Sequence, residues 1–485
     1  DNREIVANNA TAVVTITAGT GIGFGDALET TIANLDGSVT GTGGIEIAEA
    51  DSIVLTNLDT ADGAITVTAG GQLTATNVDS STVDDNTNGI SLTTTSGNVV
   101  LGVVNAGAVN DVTIVAAANV TDGNGATNNV TADELSITAQ QVGTASDSIE
   151  TTVDDLTVNT SAAGGDQFIA ESNDLGSLNL DAAGGNVVLT CGGAISDGDG
   201  SADITAAAAS VTATNAVGTS GNPIGTALDN VEVTSTIQGV FLIDANSLTI
   251  GGASVGQSGI SAGGEISVTT GRGTLTANEN VSSTGGNVTL TATDSGSAGD
   301  NLAISASVSV MTTAGNVTLN AGDNVTAAAN AGISASGNVA ITADSGSVDT
   351  GGAITLTDTS TVSSTGVGDV DLAATGNVSL SALSTSGAVT ITSTAGSIID
   401  NGNTGTDISA ASAVLTAADS VGQASGTGNG LLETTLDNVE ASATTGGVFL
   451  SNSTNLIVGG ASGATGISTG TVVDLDVAGS LTVNE

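Results

Sequence analysis

The chain has 485 residues, and its 50 acidic side chains face only two basic ones, Arg3 and Arg272, for a formal net charge of -48. Such a surface repels nucleic acid and anionic membrane, because binding there needs cationic side chains to neutralise phosphate. Without His, Lys, Tyr or Trp, acid–base catalysis would fall to carboxylates alone, and no apolar run is long enough to span a bilayer.

The predicted elements are short strands. Near the amino end, Val13-Val14-Thr15-Ile16-Thr17 precedes Glu29-Thr30-Thr31-Ile32 and Gly43-Gly44-Ile45, the first of several related long segments. Gly97 opens a Gly-Asn-Val strand, and Asp122-Gly123-Asn124-Gly125 forms an Asp-rich turn. A second segment runs from Glu150-Thr151-Thr152-Val153-Asp154 to Gly164-Gly165-Asp166-Gln167-Phe168. Val187-Val188-Leu189-Thr190 ends at Cys191, the lone cysteine, placed by alternation on the side of Val187 and Leu189 as a buried thiol. Another Asp-rich turn follows at Asp197-Gly198-Asp199-Gly200 with Asp203.

The strongest repetition comes next. Leu228-Asp229-Asn230-Val231-Glu232, Gly239-Val240-Phe241-Leu242 and Gly251-Gly252-Ala253-Ser254 return as Leu436-Asp437-Asn438-Val439-Glu440, Gly447-Val448-Phe449-Leu450 and Gly459-Gly460-Ala461-Ser462. Between these copies, Gly-Asn-Val strands open at Gly286, Gly315, Gly337 and Gly376, with a variant at Gly387 and a further Asp-rich turn at Asp400-Asn401-Gly402-Asn403 with Asp407. Strict alternation, as in Val288-Thr289-Leu290-Thr291-Ala292, puts aliphatic side chains on one face and hydroxyls on the other.

These features predict an all-β chain forming one continuous β-solenoid over 1–485, with long internal repeats at about 26–60, 148–180, 226–280 and 434–485. Four Phe are the only aromatics, so the core is narrow and filled by small branched side chains. The single proline, Pro223, agrees with strands whose N–H groups are all needed by neighbours. Disorder is disfavoured by the apolar periodicity and by a charged fraction of only 11%, and a helical fold by the abundance of Gly and β-branched residues.

Asp, Asn and Gly alternate in the three Asp-rich turns, and oxygen side chains on a tight loop are what a hard cation requires. Calcium is therefore the candidate ligand at Asp122, Asn124, Asp197, Asp199, Asp203, Asp400, Asn403 and Asp407, the alternative being that the same residues serve only as ordinary turn formers. The pairs Asp84-Asp85 and Asp154-Asp155 are read as solvated turn acids, because adjacent strand residues point to opposite faces. No catalytic residue or other cofactor is expected. In the Gly-Asn-Val turns, Asn287, Asn316 and Asn377 lie in glycosylation sequons but are expected to adopt a left-handed corner or to stack with Asn of the next turn.

Gly-Asn-Val-Thr-Leu-Thr-Ala at 286–292, Gly-Asn-Val-Thr-Leu-Asn-Ala at 315–321 and Gly-Asn-Val-Ala-Ile-Thr-Ala at 337–343 resemble the repeats of filamentous-haemagglutinin-type exoproteins and large bacterial β-strand-repeat surface proteins. The resemblance implies a right-handed parallel β-helix, export to the cell surface, and a role in adhesion or an extracellular matrix. The expected function is that of a structural extracellular filament, sheath or matrix protein. The alternative is an adhesin that binds a glycan or receptor through loops on the solenoid side. The expected partner is the chain itself, end to end, because Leu481-Thr482-Val483-Asn484-Glu485 matches Leu275-Thr276-Ala277-Asn278-Glu279, which continues at once into a further strand. Extracellular glycans are the other expected partner class; nucleic acid and membrane insertion are not expected.

Overall fold

Alternation becomes burial in the strand Val288–Ala292: Val288, Leu290 and Ala292 are buried, while Thr289 and Thr291 are half-buried on the outer face. This strand stacks in parallel on Val317–Ala321, which in turn stacks on Val339–Ala343, Val370–Ala374 and Ala388–Ser393. The register aligns Val288, Val317, Val339, Val370 and Val389 in one ladder, and Leu290, Leu319, Ile341, Leu372 and Ile391 in another. Like side chains thus stack about 4.8 Å apart, a spacing that branched aliphatics fill without voids.

The computed structural model describes residues 3–7, 9–196, 201–253, 258–346, 351–402, 405–424, 430–461 and 466–485. Among these there is no helix, and parallel strands stack as a β-solenoid. Contacts divide the chain into two units, Asp1–Leu228 and Asp229–Glu485.

In the second unit a turn carries three strands, for example Val288–Ala292, Leu302–Ile304 and Ser309–Thr312, before the chain returns beneath its start at Val317. The Gly-Asn-Val intervals from Gly286 to Gly315 and from Gly315 to Gly337 are therefore whole turns. The shorter interval from Gly376 to Gly387 is a step between faces. Gly376 introduces Val378–Leu380, which stacks on Ile354–Leu356, whereas Gly387 introduces Ala388–Ser393, which stacks on Val370–Ala374.

The asparagines of these corners bond from turn to turn. Asn287 Oδ1 accepts the Asn316 N–H at 3.0 Å, Asn316 Oδ1 accepts the Asn338 N–H at 2.8 Å, and Asn338 Oδ1 accepts the Asp369 N–H at 3.0 Å. Of the two roles foreseen for Asn, stacking is the one adopted, since none of these residues has a positive φ.

In the first unit some strands bend across two faces. Val99–Asn105 pairs first with Asn119–Asp122 and then with Val130–Thr131. Gly102 lies at that bend, where a Cβ would come within 2.4 Å of the Thr76 carbonyl oxygen, so only glycine lets the turns close there.

The long repeats preserve letters that hold corners. Glu232 and Glu440 are buried, and their Oε1 atoms accept the Ala253 and Ala461 N–H groups at 3.1 and 2.8 Å. Asn230 and Asn438 donate their side-chain amides to the Gly251 and Gly459 carbonyls at 2.7 and 3.0 Å. The Phe241 and Phe449 rings lie over Gly239 and Gly447, where a Cβ would meet the ring at 2.7 and 2.6 Å. Glycine there gives each outward ring a flat seat.

The Glu-Thr-Thr copies bury their first threonine against a polar side chain on the next turn. Thr30 donates to Glu49 at 2.7 Å, Thr151 to Glu171 at 2.6 Å, and Thr434 to Asn452 at 2.9 Å. In each copy a backbone N–H two residues on, that of Ile32, Val153 or Leu436, donates to the same acceptor side chain. Burial without those donors would cost about 1–3 kcal/mol per group, which accounts for the pairing of hydroxyl and acceptor across the turn.

Candidate metal centre at the Asp-rich corners

Three corners share one construction. A polar residue just ahead of a strand is buried, and its side-chain oxygen accepts a backbone N–H from the following turn. Asn129 Oδ1 accepts the Glu150 N–H at 2.9 Å, Asp203 Oδ2 the Gly225 N–H at 2.7 Å, and Asp407 Oδ2 the Glu433 N–H at 2.9 Å. Asn129 and Asp407 have no exposed surface, and Asp203 has only 2%. This bond fixes the start of the next turn, and it places the Glu150 and Glu433 side chains beside the Asp-rich loop.

At the first corner the loop is internally bonded. Asp122 Oδ1 accepts the Asn124 N–H at 2.8 Å and the Asn129 amide at 2.7 Å, and Asn124 Oδ1 accepts the same amide at 3.0 Å. Asn129 also donates to the Leu101 and Gly102 carbonyls. Asp122 Oδ2 and Glu150 Oε2 are buried and have no hydrogen-bond partner. Burial, followed by the Asp122 charge, raises the Glu150 carboxyl above its ordinary range.

The third corner is the most acidic. Asp400 ends the strand Ile398–Asp400, Asp407 directly precedes Ile408–Ala417, and Glu433 lies in Leu432–Ala443, which pairs with Ile408–Ala417 one turn on. One oxygen from each of the three carboxylates lies within 4.8 Å of the other two. Asp400 Oδ1 accepts the Gly402 N–H at 2.9 Å, while Asp407 Oδ1 and Glu433 Oε2 are buried and lack a partner. Burial pushes the Asp407 carboxyl up to about 8, with the Asp400 and Glu433 charges adding to it. Glu433 is raised for the same reasons, burial first and then Asp400.

Of the residues expected to bind calcium, the structure brings Asp122 to Asn124 and Asp400 to Asp407. Asp203 takes the capping position of its corner, where Gly225 stands in place of a glutamate. Asp197, Asp199 and Asn403 lie outside the described residues. Sequence reasoning missed Asn129, Glu150 and Glu433. The signal was available, because Glu150 and Glu433 head the Glu-Thr-Thr copies that follow these Asp-rich loops by one turn.

The paired acids set aside as turn formers hold turns. Asp84 accepts the Ala108 and Val109 N–H groups at 3.1 and 3.3 Å and the Asn110 amide at 3.2 Å, and Asp85 caps Thr87. Asp154 accepts from Asn173 and Asp155 from Ser177. Cys191 is a free, buried thiol that donates to the Asn173 carbonyl at 3.1 Å, and burial pushes its ionisation up to about 11. No model of a known protein family matches the chain, nor does any curated protein or solved structure.

Proposed function

We propose that this chain is an architectural component of an extracellular filament, sheath or matrix, and that copies of it associate end to end by stacking solenoid turns. One observation carries the reading: each turn is built to receive the next. The Asn287, Asn316, Asn338 series hands an N–H acceptor from turn to turn, while the Val288 and Leu290 ladders continue beneath it in register. Residues are spent on continuing the stack, as expected where each repeat is stabilised by its neighbours. The charge of -48 suits a component that stays hydrated outside and dry within. The likeness of the Gly-Asn-Val units to filamentous-haemagglutinin-type repeats supports export to the cell surface.

Sedimentation velocity over a hundredfold concentration range, with negative-stain electron microscopy of the same samples, tests this. Concentration-dependent end-to-end strings are expected. Monomers at every concentration would overturn end-to-end association, and saturable binding of such monomers on a glycan array would replace the reading with that of an adhesin.

A further inference from the structure

Two of the related corners, those of Asn129 and Asp407, differ at the capping position in a way that points to a ligand. Where Asn129 stands, its amide donates to Asp122, to Asn124 and to two carbonyls, so the buried group brings its own positive end to the surrounding oxygens. Asp407 occupies the same place, ahead of a strand and capping the N–H of the following glutamate, but in its ionised form, the one a cation would bind, it has no hydrogen to give. Its Oδ1 is left buried and without a donor in a residue with no exposed surface, and Glu433 Oε2 beside it is likewise buried and without a partner. With Asp400 present as well, three carboxylates converge within 4.8 Å where solvent screens them poorly.

We propose that Asp400, Asp407 and Glu433 bind one Ca2+ ion, which ties two successive turns of the second unit together. The donor set is carboxylate oxygen alone, without imidazole or thiolate, which selects a hard cation. Calcium fits better than magnesium, because it accepts six to eight oxygens in flexible geometry, while magnesium demands a near-ideal octahedron and gives up its water reluctantly. A proton shared between two of the acids would relieve one repulsion; a divalent ion engages all three carboxylates at once. Asp400 and Asp407 bracket the loop, and Glu433 comes from the next turn. The ion therefore acts as a clip across the stack, and at the Asn129 corner an amide that donates to four oxygens stands where the third carboxylate would be.

The test must separate this ion from cations held loosely by so acidic a surface. Calcium binding is measured by equilibrium dialysis and thermal melting on the full chain, at constant ionic strength set with KCl, for the wild type, Asp407→Asn, Glu433→Gln and the exposed control Asp474→Asn. Asp407→Asn imports the side chain found at the Asn129 corner. It should bind one Ca2+ fewer per chain than wild type, melt higher than wild type in chelator, and show no further rise with calcium. Glu433→Gln should also lose that ion, and Asp474→Asn should keep it. Equal calcium stoichiometry in wild type and Asp407→Asn would overturn the proposal. So would a wild-type response that magnesium reproduces in full. If Asp407→Asn does not fold, the comparison of Glu433→Gln with Asp474→Asn decides between the same outcomes.

Discussion

Leu319 is the sharpest place to test the ladder. It has no exposed surface, and the register sets it between Leu290 on one side and Ile341 on the other. Truncation to alanine opens a gap at a site whose neighbours are held at the strand spacing by backbone hydrogen bonds on both sides, so the gap cannot collapse. Fully buried Leu→Ala changes cost about 2–5 kcal/mol, and this geometry belongs in the upper half of that range. Thr318, the adjacent residue, faces outward and is half-buried, so Thr318→Ala should cost no more than about 0.5 kcal/mol. Guanidinium unfolding followed by circular dichroism gives the overall loss. Because a stack of turns need not unfold in one step, native-state hydrogen exchange should place the loss at amides of 288–343. Leu319→Asp should go further and open these turns, since an unpaired buried charge has no partner there. If Leu319→Ala and Thr318→Ala destabilise equally, or if exchange rises elsewhere instead, the assignment of inner and outer faces is wrong.

The corner asparagines give a smaller effect with a clear control. Asn316→Ala removes the acceptor of the Asn338 N–H and should cost about 0.5–1.5 kcal/mol by denaturant titration, toward the lower end because water reaches the exposed corner, whereas Asn316→Asp keeps the acceptor and should be near neutral. With its ionisation pushed up to about 11, Cys191 should resist iodoacetamide at pH 8 in the folded chain and react promptly in guanidinium; equal rates would place the thiol at the surface. Asp133 is raised by burial and then by the charges of Asp154, Asp111 and Asp155. A carboxyl raised in the folded state contributes stability that is present below its unfolded value and lost as pH rises through the folded one. Asp133→Asn should therefore raise the melting temperature at pH 7 and leave it unchanged at pH 3, and an equal shift at both values would refute the electrostatic cause.

The sequence determined the fold through repetition. Period-two alternation in Val288-Thr289-Leu290 and its copies could only bury one face of a strand, and the recurrence of those copies required like residues to stack. Both follow from local chemistry that every turn repeats, so they were legible without coordinates. The long-range copies showed that Asn230 and Glu232 matched Asn438 and Glu440, but not that these side chains hold the Gly-Gly-Ala corner across a turn. The candidate site was half legible for the same reason. Asp400 and Asp407 bracket one loop, and its composition alone suggested a cation. Glu433 lies a whole turn beyond Asp407, and turns in this unit vary in length, since Val339 reaches its partner Val370 by a much longer path than Val370 takes to Val389. With the turn length free to vary, sequence distance does not say which residue lies beneath which. Only the hydrogen-bond register of the stacked strands sets Glu433 beside Asp407, and gives Asn129 and Asp407 the same place with opposite hydrogen-bonding capacity.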